Sequence, residues 1–82
     1  MKVFTEEELL RYDGREGRPA YVAVEGKVYD VTGSFLWRNG VHQYHHRAGR
    51  DLTEALRGAP HTSVKLRRFP VVGTLEAGWR RP

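Results

Sequence analysis

Tyr21-Val22-Ala23-Val24-Glu25-Gly26-Lys27-Val28-Tyr29-Asp30-Val31-Thr32 is the stretch whose reading decides the fold. β-Branched and aromatic residues stand on both sides of Glu25-Gly26, and Gly26 can take a positive φ at low cost. The stretch therefore reads as a hairpin with strands near 20–24 and 27–31. Asp30 and Thr32 are turn formers at its exit. Upstream, Thr5-Glu6-Glu7-Glu8 has the spacing of a capping box, which predicts a short helix with Leu9, Leu10 and Tyr12 on its apolar side, ended by Asp13-Gly14. Downstream, residues 33–63 carry no long strand signal, because Gly33, Asn39-Gly40, Gly49 and Gly58 cut them into short pieces. Short helices are expected near 42–48, from Asp51 through Leu56, and near 63–68, where Val64 and Leu66 are available for the core. Phe69-Pro70-Val71-Val72-Gly73-Thr74-Leu75 reads as a closing strand with Pro70 at its start, and residues 77–82 as a loose tail.

Eighty-two residues make one domain, near the size at which a single hydrophobic core is marginal without a disulfide, metal, cofactor or partner. With no Cys in the chain, disulfides are excluded. No apolar run approaches the length of a membrane helix. Met1-Lys2-Val3-Phe4-Thr5 leads straight into acidic residues, without the apolar segment of a secretory signal, so the expected location is the cytoplasm. The net charge of +4 is a small excess, scattered apart from Arg67-Arg68 and Arg80-Arg81. The continuous basic stripe that nucleic acid requires is missing.

All four histidines fall between residues 42 and 61: His42, His45 and His46 in His-Gln-Tyr-His-His, then His61 in Ala-Pro-His. In a chain without Cys, imidazole is the strongest ligand it can offer a metal, and here it is concentrated in one stretch.

In this order, four motifs resemble the cytochrome b5-like haem/steroid-binding domain: Phe4-Thr5-x-x-Glu8-Leu9, Gly26-Lys27-Val28-Tyr29-Asp30-Val31-Thr32, Ala48-Gly49-Arg50-Asp51-Leu52-Thr53 and Phe69-Pro70-Val71-Val72-Gly73-Thr74-Leu75. The likeness covers about residues 3–76. It implies an α+β fold in which a small mixed sheet and short helices form a cleft for a b-type haem held between two axial ligands. In that family the second ligand lies ten residues after the Asp of Ala-Gly-x-Asp, a position that His61 occupies here. The family's His-Pro-Gly-Gly element has no counterpart after Thr32, where the chain reads Phe35-Leu36-Trp37-Arg38-Asn39-Gly40-Val41. In this the chain is similar to the branch containing membrane-associated progesterone-receptor-type domains and small prokaryotic relatives. In the former a tyrosine binds the iron, and its counterpart by counting is Tyr44.

Three residues thus compete for the other face of the iron: His42, which is favoured, His46 one helical turn later if the segment is a helix, and Tyr44. His45 is expected at the surface. Apolar contacts to the cofactor are expected from Phe35, Leu36, Trp37, Val41, Leu52, Leu56 and Val64. Val22, Val24, Val28, Val31, Phe69, Val72 and Leu75 are assigned to ordinary core.

Two protein ligands leave no open position on the iron, so the expected role is one-electron transfer rather than catalysis. Ser34 and Ser63 sit in no recognisable nucleophile motif. Arg38, Arg47, Arg50 and Arg57 lie in the stretch expected to wall the cleft and point to an acidic redox partner. Two other readings stay open. One is a haem- or steroid-type regulatory module with Tyr44 on the iron. The other is a small zinc protein using His42, His46 and His61.

Overall fold

A computed structural model describes residues 2–32, 41–42, 46–54, 56 and 66–76, with 41–42 and 46–47 described by their backbone. The elements run β1 (Lys2–Phe4), α1 (Glu6–Leu10), β2 (Tyr21–Val24), β3 (Lys27–Asp30), β4 (Val41–His42), β5 (His46–Arg47) and β6 (Val71–Leu75). Four of them form a mixed sheet in the order β1-β6-β3-β2, with β1 and β6 parallel and the other pairs antiparallel. β4 and β5 form a separate two-stranded ribbon.

The hairpin forms where the sequence places it. Glu25 and Gly26 take φ of 52° and 79°, the two positive dihedrals a two-residue loop needs to follow the strand twist. Val24 and Lys27 close the ladder, which runs back to Tyr21 opposite Asp30. Since successive side chains leave opposite faces of a strand, the sheet divides the core in two. Val22 and Val31 pack with Ala20, Ala48, Leu52, Leu56 and Leu66 on one face, with Val24, Tyr29 and Phe69 against them. Ala23 and Val28 pack on the other face with Phe4, Leu9 and Leu75. There the Tyr12 and Tyr21 rings stack at 4.4 Å, and Phe4 meets both edge-on.

The capping box is present in full: the Glu8 N–H donates to Thr5 Oγ1 (3.0 Å) and the Thr5 N–H to Glu8 Oε1 (3.1 Å). Hydrogen bonding and charge from Lys2, joined by the Thr5 N–H, hold the Glu8 carboxyl below its ordinary range. α1 ends before Arg11. Asp13 then takes a bidentate contact from Arg18, which closes the 13–18 loop and lowers the Asp13 carboxyl likewise.

Three expectations need correction. Residues 41–42 and 46–47 are strands where a helix near 42–48 was expected. His, Tyr and Val are indifferent or poor helix formers, and the segment has no acidic cap to start a helix. The stretch from Asp51 contains one helical turn, from the Leu56 N–H to the Leu52 carbonyl (2.9 Å), within a series of turns. The closing strand begins at Val71, after Leu66, which is helical, and a turn in which the Phe69 N–H returns to the Leu66 carbonyl. β1 had no forecast at all. Three residues are too few to show alternation, even though Phe4 is 3% exposed and Val3 59%. The expected tail over 77–82 lies outside the described residues.

Two Asp-x-Thr sequences fasten the ends of β2. In Asp30-Val31-Thr32 and in Asp51-Leu52-Thr53 the threonine N–H and hydroxyl both donate to the aspartate Oδ1. Each threonine oxygen then accepts a backbone N–H flanking β2: Ala20 to Thr32 (3.0 Å) and Glu25 to Thr53 (2.9 Å). Between these points the 48–53 segment runs along the outer edge of β2. Gly49 donates to the Tyr21 carbonyl, Ala23 to the Arg50 carbonyl, and Leu52 to the Ala23 carbonyl. An edge that would otherwise present free amides is covered. Thr53 is 4% exposed, whereas Thr32 is open to water. Thr53→Val is therefore expected to cost about 1–3 kcal/mol by stranding the Glu25 amide, and Thr32→Val clearly less, since water can replace the lost hydroxyl. Urea unfolding of both variants checks the ranking, and an equal loss at the two sites would contradict it.

Candidate functional site

On the sheet face that carries Val22 and Val31, a cleft of about 320 Å³ opens beside the hairpin turn. Val24, Leu56 and Leu66 form its apolar wall, and Leu56 and Leu66 are each 2% exposed. Tyr29 and Thr53 also line it, together with Glu25, Lys27 and Arg67 at the solvent side. The period of β3 explains two of these: Lys27 and Tyr29, two residues apart, leave the same face of the strand.

Leu56 and Leu66 are the two ends of a chain segment whose middle carries His61. Both of these leucines stand on the wall of the cleft. The second histidine group is on the ribbon of β4 and β5, where His42 and His46 are register partners and Val41 pairs with Arg47. Only one residue after Arg47, Ala48 is buried in the core on this face, and Gly49 is bonded to Tyr21. Gly49 has a φ of 85°, and a Cβ there would lie 3.2 Å from the Leu9 carbonyl oxygen, so glycine is what lets the chain pass between α1 and β2.

Of the residues expected to make the site, Leu52 and Leu56 are buried on this face, and Leu56 lines the cleft. Val41, His42 and His46 are placed by their backbone, which turns the expected helical spacing of the two histidines into a cross-strand pairing. Leu36, Trp37, Tyr44 and His61 lie outside the described residues, as do Phe35, His45 and Val64. Val24, expected in the ordinary core, also lines the cleft, as do Tyr29, Thr53, Lys27 and Arg67, for which no site role is expected from sequence. The signal for Lys27 and Tyr29 was available in the alternation of β3. Arg67 carries none, because its position depends on how the chain returns from residue 56.

Residues 5–76 match the family described as the cytochrome b5-like haem/steroid-binding domain. The chain belongs to that family. Among solved structures, a Hadesarchaea cytochrome b5 domain protein is 63% identical, with a TM-score of 0.88 over 93% of this chain and 100% of that one. A Methanococcoides burtonii cytochrome b5 domain protein is 53% identical, with a TM-score of 0.88 over 93% and 99% of the two chains. Cytochrome b558 of Ectothiorhodospira vacuolata, described as a prokaryotic homologue of cytochrome b5, is 25% identical with a TM-score of 0.62 over 92% and 99%. Among curated relatives, a neuferricin homologue of Caenorhabditis briggsae is 48% identical over 54 residues, which are 65% of this chain and 17% of that protein. Probable steroid-binding protein 3 of Arabidopsis thaliana is 41% identical over 54 residues, 65% of this chain and 54% of that protein. The chain therefore spans only part of the curated relatives it matches.

The described lining of this cytochrome b5-like domain fits a haem. A porphyrin is a flat apolar body with two carboxylates on one edge and an iron that takes imidazole ligands. The wall of Val24, Leu56 and Leu66 suits the body, and Lys27 and Arg67 suit the carboxylates. Leu56 and Leu66, which flank the His61 segment in the sequence, line the cleft, and Ala48, which follows β5, is buried in the core on the same face. Among the described residues no helix is long and apolar enough to cross a membrane.

Proposed function

We propose that this domain binds one non-covalent b-type haem against Val24, Leu56 and Leu66 and carries single electrons, with His61 and one residue of the 42–46 segment as axial ligands. The observation that carries the reading is the position of Leu56 and Leu66, which flank the His61 segment in the sequence and form part of the apolar wall of the cleft. The absence of Cys leaves no residue for thioether attachment. His42 and His46 are register partners on one ribbon, so they are alternatives for a single coordination position rather than the two ends of an axial pair. His42 remains the favoured one.

When bound, haem supplies a ferric/ferrous couple tuned by its axial ligands and burial. The protein's part is to hold that group by an apolar wall, to keep two ligand residues in place, and to limit water at the buried side. The role proposed is that of a carrier and not an enzyme, acting in the cytoplasm. Arg50, expected to wall the cleft, is instead exposed beside Glu6, Leu9 and Leu10 of α1; Arg38, Arg47 and Arg57 remain in the stretch of sequence that supports an acidic redox partner.

Haemin titration followed by visible spectra of the oxidised and reduced protein tests the reading. The expected result is a six-coordinate low-spin iron in both states, reduced by acidic carriers at rates that fall as salt rises. A protein that stays colourless after titration would sink the haem assignment, and rates indifferent to salt would remove the acidic partner. The relative named for steroid binding favours a second reading, a regulatory ligand-binding module with Tyr44 on the iron. A high-spin ferric spectrum abolished by Tyr44→Phe would bring that reading forward.

A further inference from the structure

We infer that Lys27, Arg67 and the Tyr29 hydroxyl form a carboxylate-recognising edge of the cleft, which sets the orientation of the bound porphyrin and selects for ligands that carry acid groups. The inference rests on the haem reading of the same cleft. Three apolar residues, Val24, Leu56 and Leu66, line the cleft and offer nothing polar. Of the polar lining, Thr53 is already committed, since its hydroxyl donates to Asp51 and accepts from the Glu25 N–H. Glu25 is engaged by a partner of its own. Tyr29, Lys27 and Arg67 are what remain. Among the described residues neither Lys27 nor Arg67 has an ion-pair partner.

The local structure brings these three residues to the lining of one cleft. Lys27 and Tyr29 share one face of β3, and Tyr29 stands opposite Val22 on β2, within the core on the cleft side. Arg67 follows Leu66, whose burial in the same core anchors the guanidinium beside the cleft while the residue itself stays exposed. A ligand that presses an apolar body against Leu56 and Leu66 therefore meets two cations and a phenol at one side. Carboxylates, ionised at neutral pH, complement that set, and the guanidinium can take one in a bidentate fashion. Because both cations are solvated, their effect on affinity is modest, and their larger effect is on which way round an asymmetric ligand enters.

The test compares haemin with haemin dimethyl ester, which keeps the ring and iron but lacks the acids. Wild-type protein is expected to bind haemin roughly tenfold more tightly than the ester. Lys27→Gln combined with Arg67→Gln is expected to remove most of that preference by weakening haemin and leaving the ester unchanged, and Tyr29→Phe to lower it a few-fold. Arg11→Gln removes an exposed charge at the end of α1, away from the cleft lining, and is expected to leave the preference intact. Equal wild-type affinity for the two ligands would overturn the inference while leaving the haem reading standing. So would an Arg11→Gln effect as large as that of the double variant, since net charge alone would then account for the preference. A chain that bound neither ligand would overturn both.

Discussion

Gly73→Ala is expected to cost about 3 kcal/mol or more and to lower the melting temperature by roughly 15 °C. Gly73 sits on β6, opposite Lys2 in the parallel ladder with β1. A Cβ at that position would lie 2.3 Å from the Lys2 carbonyl oxygen and 2.6 Å from Phe4 Cε2. Neither neighbour can yield cheaply. The first is backbone in a paired strand. The second belongs to a ring held edge-on by Tyr12 and Tyr21, in a residue 3% exposed. Relief requires β1 to move off β6, which loses the ladder and loosens the second core together. Gly17 provides the contrast: its φ is 81° but nothing lies within 4 Å of a Cβ there, so Gly17→Ala carries only the conformational cost of about 1 kcal/mol. Thermal melts of the two variants decide the matter. A Gly73→Ala protein melting within a few degrees of wild type would mean that β1 is not held as described.

His61→Ala is expected to abolish stable haem binding, or to leave a five-coordinate high-spin iron that binds far more weakly. The expectation follows from the proposed ligand pair and from the sequence, in which His61 falls midway between Leu56 and Leu66, two residues that line the cleft. Its stability signature is distinctive, because a ligand that binds only the folded state adds about 4 kcal/mol at a thousandfold excess over its dissociation constant. Haemin should raise the melting temperature of wild type substantially and that of the variant little, while the ligand-free proteins melt together. Equal haemin-induced shifts would show that His61 does not hold the iron. The parallel comparison of His42→Ala and His46→Ala identifies the other ligand as the one whose loss makes the iron high-spin.

The legible parts of the fold were those fixed by local chemistry. Glu25-Gly26 needed two positive dihedrals, and Thr5 with Glu8 needed the first turn of a helix; both are satisfied within a few residues, so the sequence states them outright. β1 was illegible because its pairing partner lies some seventy residues away and its three residues carry no period. The misread helix near 42–48 has a related cause. Two strands of two residues each are too short to show an alternation, and strand pairing depends on neighbours more than on intrinsic preference. For the site, the register of Ala48-Gly49-Arg50-Asp51 singled out His61 through family likeness, whereas Lys27, Tyr29 and Arg67 emerged only once the sheet had set which residues share a face.

The two-sided sheet has a consequence for how such a chain can change over time. Among the described residues, the cluster formed by Phe4, Leu9, Ala23, Val28 and Leu75 takes no member from residues 33–66, whereas Ala48, Leu52, Leu56 and Leu66 all belong to the other cluster. One cluster is thus built by the sheet and α1, and the other takes its closing residues from the later segment, which is fastened at Gly49, Thr53 and Leu66. Mutations outside these buried and bonded positions can alter the segment between them without dismantling the frame that holds it.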